Sequence, residues 1–271
     1  VVNNALYHCF SLLWHHVTAW NTGGEGIHSP RLFYLVRMVF RDSNRYYAWQ
    51  SIERQRLAML QSSQTIQVTD YGVGRTRSTL RRVTAIAKTG LSNRTTAELL
   101  FRLVMHMTGD EYRLQPHGPL NIIELGTSLG ITTAYLAAAD SRNRVVTFEG
   151  SDEIAALAKA NWSRLDIQNI VLVQGNIDDT LYNYAREEID FAFIDANHTG
   201  KATLRYFKII ASCIHPDGIV AVDDIRYSPD MYAAWKQIIH HPKVTATMDF
   251  GNMGLVFFEP HLERKTYLLR I

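Results

Sequence analysis

Apolar residues recur at helical spacing along the first part of the chain. Leu6, Phe10, Leu13, Trp14 and Val17 lie three and four positions apart, which predicts a helix over residues 5–20 with its stripe packed on a core. A glycine-rich link at 21–26 follows, and Ser29-Pro30 predicts a capped helix running to about residue 40. Further helices are expected over 46–60, 80–88 and 95–107. After Pro119 the pattern changes to short β-branched runs, predicting strands at 121–125, 144–149, 170–174, 191–195 and 219–222. Helical stretches at 132–139, 154–165, 179–186 and 203–214 separate them. Two more strands, 244–250 and 255–259, are joined by the short turn Gly251-Asn252-Met253-Gly254 and predict an antiparallel hairpin. The expected fold is α/β: a doubly wound, mostly parallel, seven-stranded Rossmann-like sheet with a C-terminal hairpin, preceded by a helical extension.

Charge sharpens that division. The 271 residues carry a net charge of only +2, but residues 1–118 hold 14 basic and 7 acidic residues while 119–271 hold 14 and 19. Thirteen of the first 14 are arginine. Two domains are expected, an Arg-rich extension at 1–118 that covers an acceptor or dimerises, and a catalytic domain at 119–271. Cys9 and Cys213 are far apart in apolar surroundings, which supports neither a disulfide framework nor a thiolate metal site. No apolar run approaches the ~18 residues of a membrane span, and no signal-peptide core is present. A cytoplasmic protein without a membrane partner is expected.

In open α/β sheets ligands gather where the strands end. The first strand ends in Glu124-Leu125-Gly126-Thr127-Ser128-Leu129-Gly130, whose glycines let backbone approach a ligand. Position 128 is Ser, so the dinucleotide pattern GxGxxG is absent. The second strand ends in Glu149-Gly150, an acid placed to accept ribose hydroxyls. Gly175-Asn176-Ile177-Asp178 ends the third, with polar atoms for an adenine edge, and Asp195-Ala196-Asn197-His198 the fourth. Four such ends in succession predict an adenosine-type cofactor. Upstream, Asp70-Tyr71-Gly72-Val73-Gly74 imitates a glycine motif but leads into Arg75, Arg77, Arg81 and Arg82 with no acid-ended second strand, so it reads as an ordered turn.

Residues 119–259, and Glu124 to Thr132 most specifically, resemble the class I S-adenosylmethionine-dependent methyltransferases, in particular the O-methyltransferases of the catechol and caffeoyl-CoA type. The whole chain also resembles a bacterial group of methyltransferase-like proteins of unassigned substrate. The resemblance implies S-adenosylmethionine as cofactor, with Glu124, Gly126, Thr127, Ser128, Gly130 and Thr132 around its methionine part. Glu149 and Gly150 would serve the ribose, Asn176, Ile177 and Asp178 the adenine, and Asp195 the reactive end.

A hydroxyl acceptor needs a base or a metal. Asp195, Asp223 and Asp224 leave strands four and five, and hard carboxylate ligands suit Mg²⁺ or Ca²⁺. The resembling enzymes carry Asn where this chain has Asp224, and lysine as base where it has His198. Catalysis is therefore expected from His198 and Asp195. The carboxylates equally suit helix caps or arginine partners. Adjacent pairs His15-His16 and His240-His241 make poor joint metal ligands. Trp14, Trp20, Tyr34, Tyr46, Tyr47 and Trp49 suit either an acceptor pocket or a core.

The expected reaction is methyl transfer to a small hydroxylated molecule, with the arginines favouring an anionic one. A nucleic-acid methyltransferase drawing on the basic extension is disfavoured by the lack of an Asn/Asp-Pro-Pro-aromatic or Pro-Cys signature. A non-catalytic cofactor-binding module and a homodimer stay open.

Overall fold

The computed structural model describes residues 4–70, 77–109, 118–184 and 187–270. The first part of the chain forms α1 (Asn4–Thr18), α2 (Pro30–Tyr34) continued by a π-helical turn (Leu35–Val39), α3 (Tyr47–Leu60), β1 (Thr65–Asp70), β2 (Arg77–Arg82), α4 (Val83–Thr89) and α5 (Arg94–Gly109). Strands and helices then alternate: β3 (Asn121–Leu125), α6 (Ile131–Ala138), β4 (Arg144–Glu149), α7 (Asp152–Arg164), β5 (Ile170–Gln174), α8 (Ile177–Tyr184), β6 (Ile189–Ile194), α9 (Gly200–Cys213) and β7 (Ile214–Val222). The chain closes with α10 (Pro229–Ile239), β8 (Ala246–Asp249), β9 (Gly254–Phe257) and β10 (Lys265–Leu268).

Packing divides the chain into two compact units, residues 42–184 and residues 1–41 with 185–271. This division follows contacts and does not coincide with the change of charge near residue 118.

In the unit 42–184, β3, β4 and β5 pair in parallel and in sequence order. Their bounds are those the β-branched runs predict. Between them α6 is almost wholly buried, because α3 and α5 pack Trp49, Ile52 and Phe101 around its Tyr135, and α7 adds Trp162 to the same cluster. The Trp49 and Phe101 rings meet edge to face at 5.5 Å, a favourable aromatic geometry. Trp49 is therefore core. Two arginines of the basic segment are also internal here: Arg56 donates to Glu53 at 2.8 Å and to the Ser92 carbonyl at 2.7 Å, and Arg102 to the Asp42 carbonyl at 3.0 Å.

The helix expected over 80–88 begins later, at Val83. Residues 77–82 instead pair antiparallel with β1 in a separate two-stranded sheet, from Thr65 opposite Arg82 to Asp70 opposite Arg77. Ladder hydrogen bonds to β1 outweigh the helical spacing of Leu80, which is exposed. The glycine turn at 70–74 lies, after Asp70, outside the described residues; the antiparallel strand leading into it is unlike the parallel strands that open a cofactor loop.

In the other unit β6 and β7 are parallel, β7 and β9 antiparallel, and β9 and β8 antiparallel. All seven expected strands are present, and an eighth, β10, runs parallel to β8. The sequence reading also omits α10, although Ser228-Pro229 repeats the Ser29-Pro30 signal: Ser228 Oγ accepts the Met231 N–H at 3.1 Å, as Ser29 Oγ accepts that of Leu32 at 3.3 Å. The stripe expected to pack α1 is turned outward instead. Its inward face is His8, Leu12, His15 and Ala19, and polar bonds hold it: His8 Nδ1 to the Arg226 carbonyl and His15 Nε2 to the Asp249 carbonyl, both at 3.0 Å. Trp14 and Trp20 are exposed accordingly.

Candidate functional site

The glycine loop after β3 is fixed from three sides. The Gly126 and Thr127 N–H groups donate to the Phe148 carbonyl at 3.2 and 3.1 Å, so the turn is hung on the end of β4. Beneath it Glu124 is fully buried, and its Oε2 accepts from Thr133 on α6 and from Thr147 on β4, the latter in turn 2.6 Å from Thr127 Oγ1. Glu124 thus acts on the loop's shape. From α7, Trp162 Nε1 donates to the Gly130 carbonyl at 2.7 Å and Asn161 to that of Leu129 at 2.9 Å. Gly130 has φ +74°, and a Cβ there would lie 2.5 Å from Trp162 Nε1, so glycine is required twice over.

Glu149, at the end of β4, accepts the Ser128 N–H at 3.0 Å and the Ser151 N–H at 2.9 Å, one on each carboxylate oxygen. Each oxygen keeps a lone pair for a further donor. Burial is the largest influence on this carboxyl and holds it above the usual range against the pull of those amides. Gly175 at φ +120° donates to the Glu149 carbonyl at 2.9 Å, and Asn176 Oδ1 accepts the Asp178 N–H at 3.1 Å at the start of α8. Thr132 donates to Ser92 Oγ at 3.1 Å. Gly126, Thr127, Ser128, Gly130, Thr132, Glu149, Gly150, Asn176, Ile177 and Asp178 therefore share one unit, around the ends of β3, β4 and β5.

The residues expected to act in the reaction belong to the other unit. Asp195 and His198 follow β6, and Asp223 and Asp224 follow β7, with the Asp223 N–H bonded to the Ile194 carbonyl at 2.9 Å. His198 Nδ1 lies 3.1 Å from Asp224 Oδ2, and ligand atoms of Asp195, His198 and Asp224 all lie within 4.8 Å of one another. Asp223 stands behind them: its Oδ1 accepts the Asp224 N–H at 2.9 Å, and burial, then the charge of Asp195, pushes its carboxyl well above the usual range. The Asp224 hydrogen bond raises His198. Burial alone would raise Asp224 too, but the hydrogen bond and charge of His198 outweigh it and leave the carboxyl low. Asn197, His198 and Asp224 all have positive φ, at 66°, 37° and 55°.

Residues 123–225 match a family described as a methyltransferase domain. A protein of Mycobacterium tuberculosis named a probable O-methyltransferase is 31% identical over 119 residues, 40% of this chain. The chain spans about half the length of that relative. Among solved structures, the O-methyltransferase of Bacillus cereus in complex with S-adenosylhomocysteine covers 79% of this chain and 92% of its own, with a TM-score of 0.55 at 18% identity. The O-methyltransferase TomG of Streptomyces achromogenes, in complex with S-adenosylmethionine, covers 95% of this chain and 99% of its own, with a TM-score of 0.55 at 12% identity. The fold is the Rossmann-like α/β fold of these solved methyltransferases.

Three residues beside the cluster of Asp195, His198 and Asp224 carry no expectation from the sequence. Asn252 Nδ2 donates to Asp224 at 3.0 Å and Asp223 at 3.4 Å, so the hairpin turn also braces the carboxylates. The half-exposed Tyr227 ring lies 6.0 Å from that of His198 and 6.4 Å from that of His8 on α1. Only Asn252 has a sequence signal, its place in a four-residue turn. His8 and Tyr227 come together through the docking of α1, which the outward stripe conceals. No described helix is long and apolar enough to cross a membrane.

Proposed function

We propose that this chain transfers the methyl group of S-adenosylmethionine to a hydroxyl oxygen of a small molecule. The observation that carries this reading is the Glu149 carboxylate, held by two backbone amides at the end of β4 with acceptor capacity left for both hydroxyls of a ribose. The glycine loop beside it would take the methionine part, and Asn176 to Asp178 the adenine. The O-methyltransferase names of the relatives support oxygen as the acceptor atom.

In the reaction the sulfur–methyl bond breaks as the oxygen–methyl bond forms. Sulfur keeps the electron pair, leaving S-adenosylhomocysteine, and the hydroxyl proton passes to a base. We assign that role to His198. Asp224 fixes the ring through Nδ1, which keeps the lone pair of Nε2 for the acceptor proton. Asp195 and Tyr227 flank the acceptor side, and the segment 1–118 is assigned to acceptor selection. Arg31, bound to Glu259, and the internal Arg56 and Arg102 are structural, so they lend an anionic acceptor no support.

The grouping of Asp195, His198 and Asp224 favours a second reading. The carboxylate oxygens of Asp195 and Asp224 suit a divalent cation such as Mg²⁺ or Ca²⁺, and these two would hold it, with His198 beside it and Asp223 behind. A bound cation would supply Lewis-acid polarisation of the hydroxyl.

The test is methyl transfer from labelled S-adenosylmethionine to a panel of phenols, catechols and sugar hydroxyls, with and without EDTA and Mg²⁺. Transfer unaffected by EDTA supports His198 acting as base; transfer lost to EDTA and restored by Mg²⁺ supports the cation. Binding without transfer to any acceptor returns the chain to a non-catalytic module.

A further inference from the structure

The outward stripe of α1 calls for a partner. Leu6, Phe10, Leu13, Trp14, Val17 and Trp20 are each between 58% and 73% exposed, whereas His15, on the opposite side of the helix, is buried. They fall on one face by helical spacing, with Trp20 folded over Gly26 just beyond the helix end. Three aromatics and three aliphatics at this exposure present on the order of 800 Å² of apolar side chain, more than the largest patch of most monomers. That is also about the ~800 Å² that each partner buries in a standard stable interface.

We infer that this face is a self-association surface on which α1 of one copy packs against α1 of a second copy about a two-fold axis. The charge pattern selects this occupant. Residues 4–18 contain no Lys, Arg, Asp or Glu, so the stripe meets its own copy without like-charge repulsion. A helix that lies on a lipid surface carries Lys and Arg on its polar face, which α1 lacks. Phe10 and Trp14 are adjacent on the stripe and supply the large aromatic anchors on which interface energy concentrates. Antiparallel pairing also sets the two helix dipoles against each other favourably. The inward bonds of His8 and His15 are untouched by the pairing, so a copy separated from its partner keeps α1 in place.

Sedimentation velocity and light scattering of the full chain from ~1 to ~100 µM test the inference, a range that brackets ordinary dimer affinities. The wild type is expected at twice 30.9 kDa, and Phe10→Glu and Trp14→Glu each as monomers, with the dissociation constant raised at least ~30-fold. Circular dichroism should stay unchanged, since both side chains are exposed, and melting temperature should fall only by what the dimer itself contributes, a difference that shrinks on dilution. Leu13→Gln is the milder variant should either glutamate disturb folding, and it should weaken the dimer in the same direction. A wild type that stays monomeric at ~100 µM, or a dimer that survives all three substitutions, overturns the inference. So does a monomer that co-sediments with phosphatidylcholine or phosphatidylglycerol vesicles and loses this on Trp14→Glu, because the occupant is then a lipid surface.

Discussion

The cofactor loops and the reactive cluster both bend the backbone into the left-handed region, but they use different residues to do it. Around the cofactor loops the bends fall mainly on Gly126, Gly130 and Gly175, where φ is +100°, +74° and +120°. In the cluster they fall on Asn197, His198 and Asp224, all with side chains. Glycine adopts this conformation without strain, whereas a residue with a Cβ bears a cost of order 1 kcal/mol. The difference follows from what each region presents. A loop that offers its backbone to a ligand loses nothing by having no side chain. A cluster assigned to act through an imidazole and carboxylates keeps them, and the bonds from Asn252 and between His198 and Asp224 hold the bent backbone in place.

The largest expected effect separates strain from chemistry. Asn tolerates the left-handed region well, so His198→Asn should lower the melting temperature by no more than the lost bond to Asp224 accounts for. Removing a general base should lower kcat by about 10²–10⁴-fold. Affinity for S-adenosylhomocysteine, read by titration calorimetry, should stay within about twofold, because the cofactor contacts are assigned elsewhere. A rate within threefold of wild type would remove His198 from the chemistry.

Gly130→Ala probes the other side of the comparison. The new Cβ meets Trp162 at 2.5 Å in a conformation that already disfavours it, so the expected destabilisation is about 3 kcal/mol. Loss of the melting transition's height and of cofactor binding should appear together. If the variant melts like wild type, the loop is less rigidly held than the Trp162 bond implies.

These two positions also show what a sequence discloses. Gly130 and Glu149 are legible because each is set locally: a turn that must bend, and an acid at a strand end. His198 is legible only as an offset from Asp195, and its partner Asp224 looks equally like a cation ligand until the 3.1 Å contact is seen. Asn252 and Tyr227 are long-range products of packing. The strands β3 and β4 are readable as buried β-branched runs and β5 as a β-branched run paired to β4, whereas residues 77–82 take their structure from β1. In α1 the apolar stripe was easy to find and its direction was not, since periodicity identifies a face without saying what covers it. Two histidines on the opposite side, His8 and His15, decide that direction through hydrogen bonds that no hydrophobic pattern records.

Glu149→Gln sharpens the comparison at an intermediate scale. Gln keeps the shape but loses the charge that would receive ribose hydroxyls, and charge-assisted hydrogen bonds contribute about 1.5–3 kcal/mol. Cofactor affinity should fall roughly 10- to 100-fold, while kcat at saturating cofactor changes little. A fall in kcat as large as the fall in affinity would place Glu149 in the chemical step and dissolve the division between the two regions.

The smallest effect is a slope. Burial raises the folded-state pKa of Glu149 above its ordinary 4.5. Between 4.5 and that raised value the folded protein holds a proton that the unfolded chain has released, so stability should fall as pH rises through this window. Above the window the penalty is constant, and below 4.5 it is absent. Glutamine does not titrate, so melting temperature against pH should differ in slope between wild type and Glu149→Gln across this window and run parallel outside it. S-Adenosylhomocysteine should reduce the difference, because ribose hydroxyls donating to the carboxylate favour its charged form and draw the pKa back down. If the ligand leaves the slope unchanged, the hydroxyls do not meet Glu149, and the cradle binds its cofactor through the glycine loop without the acid.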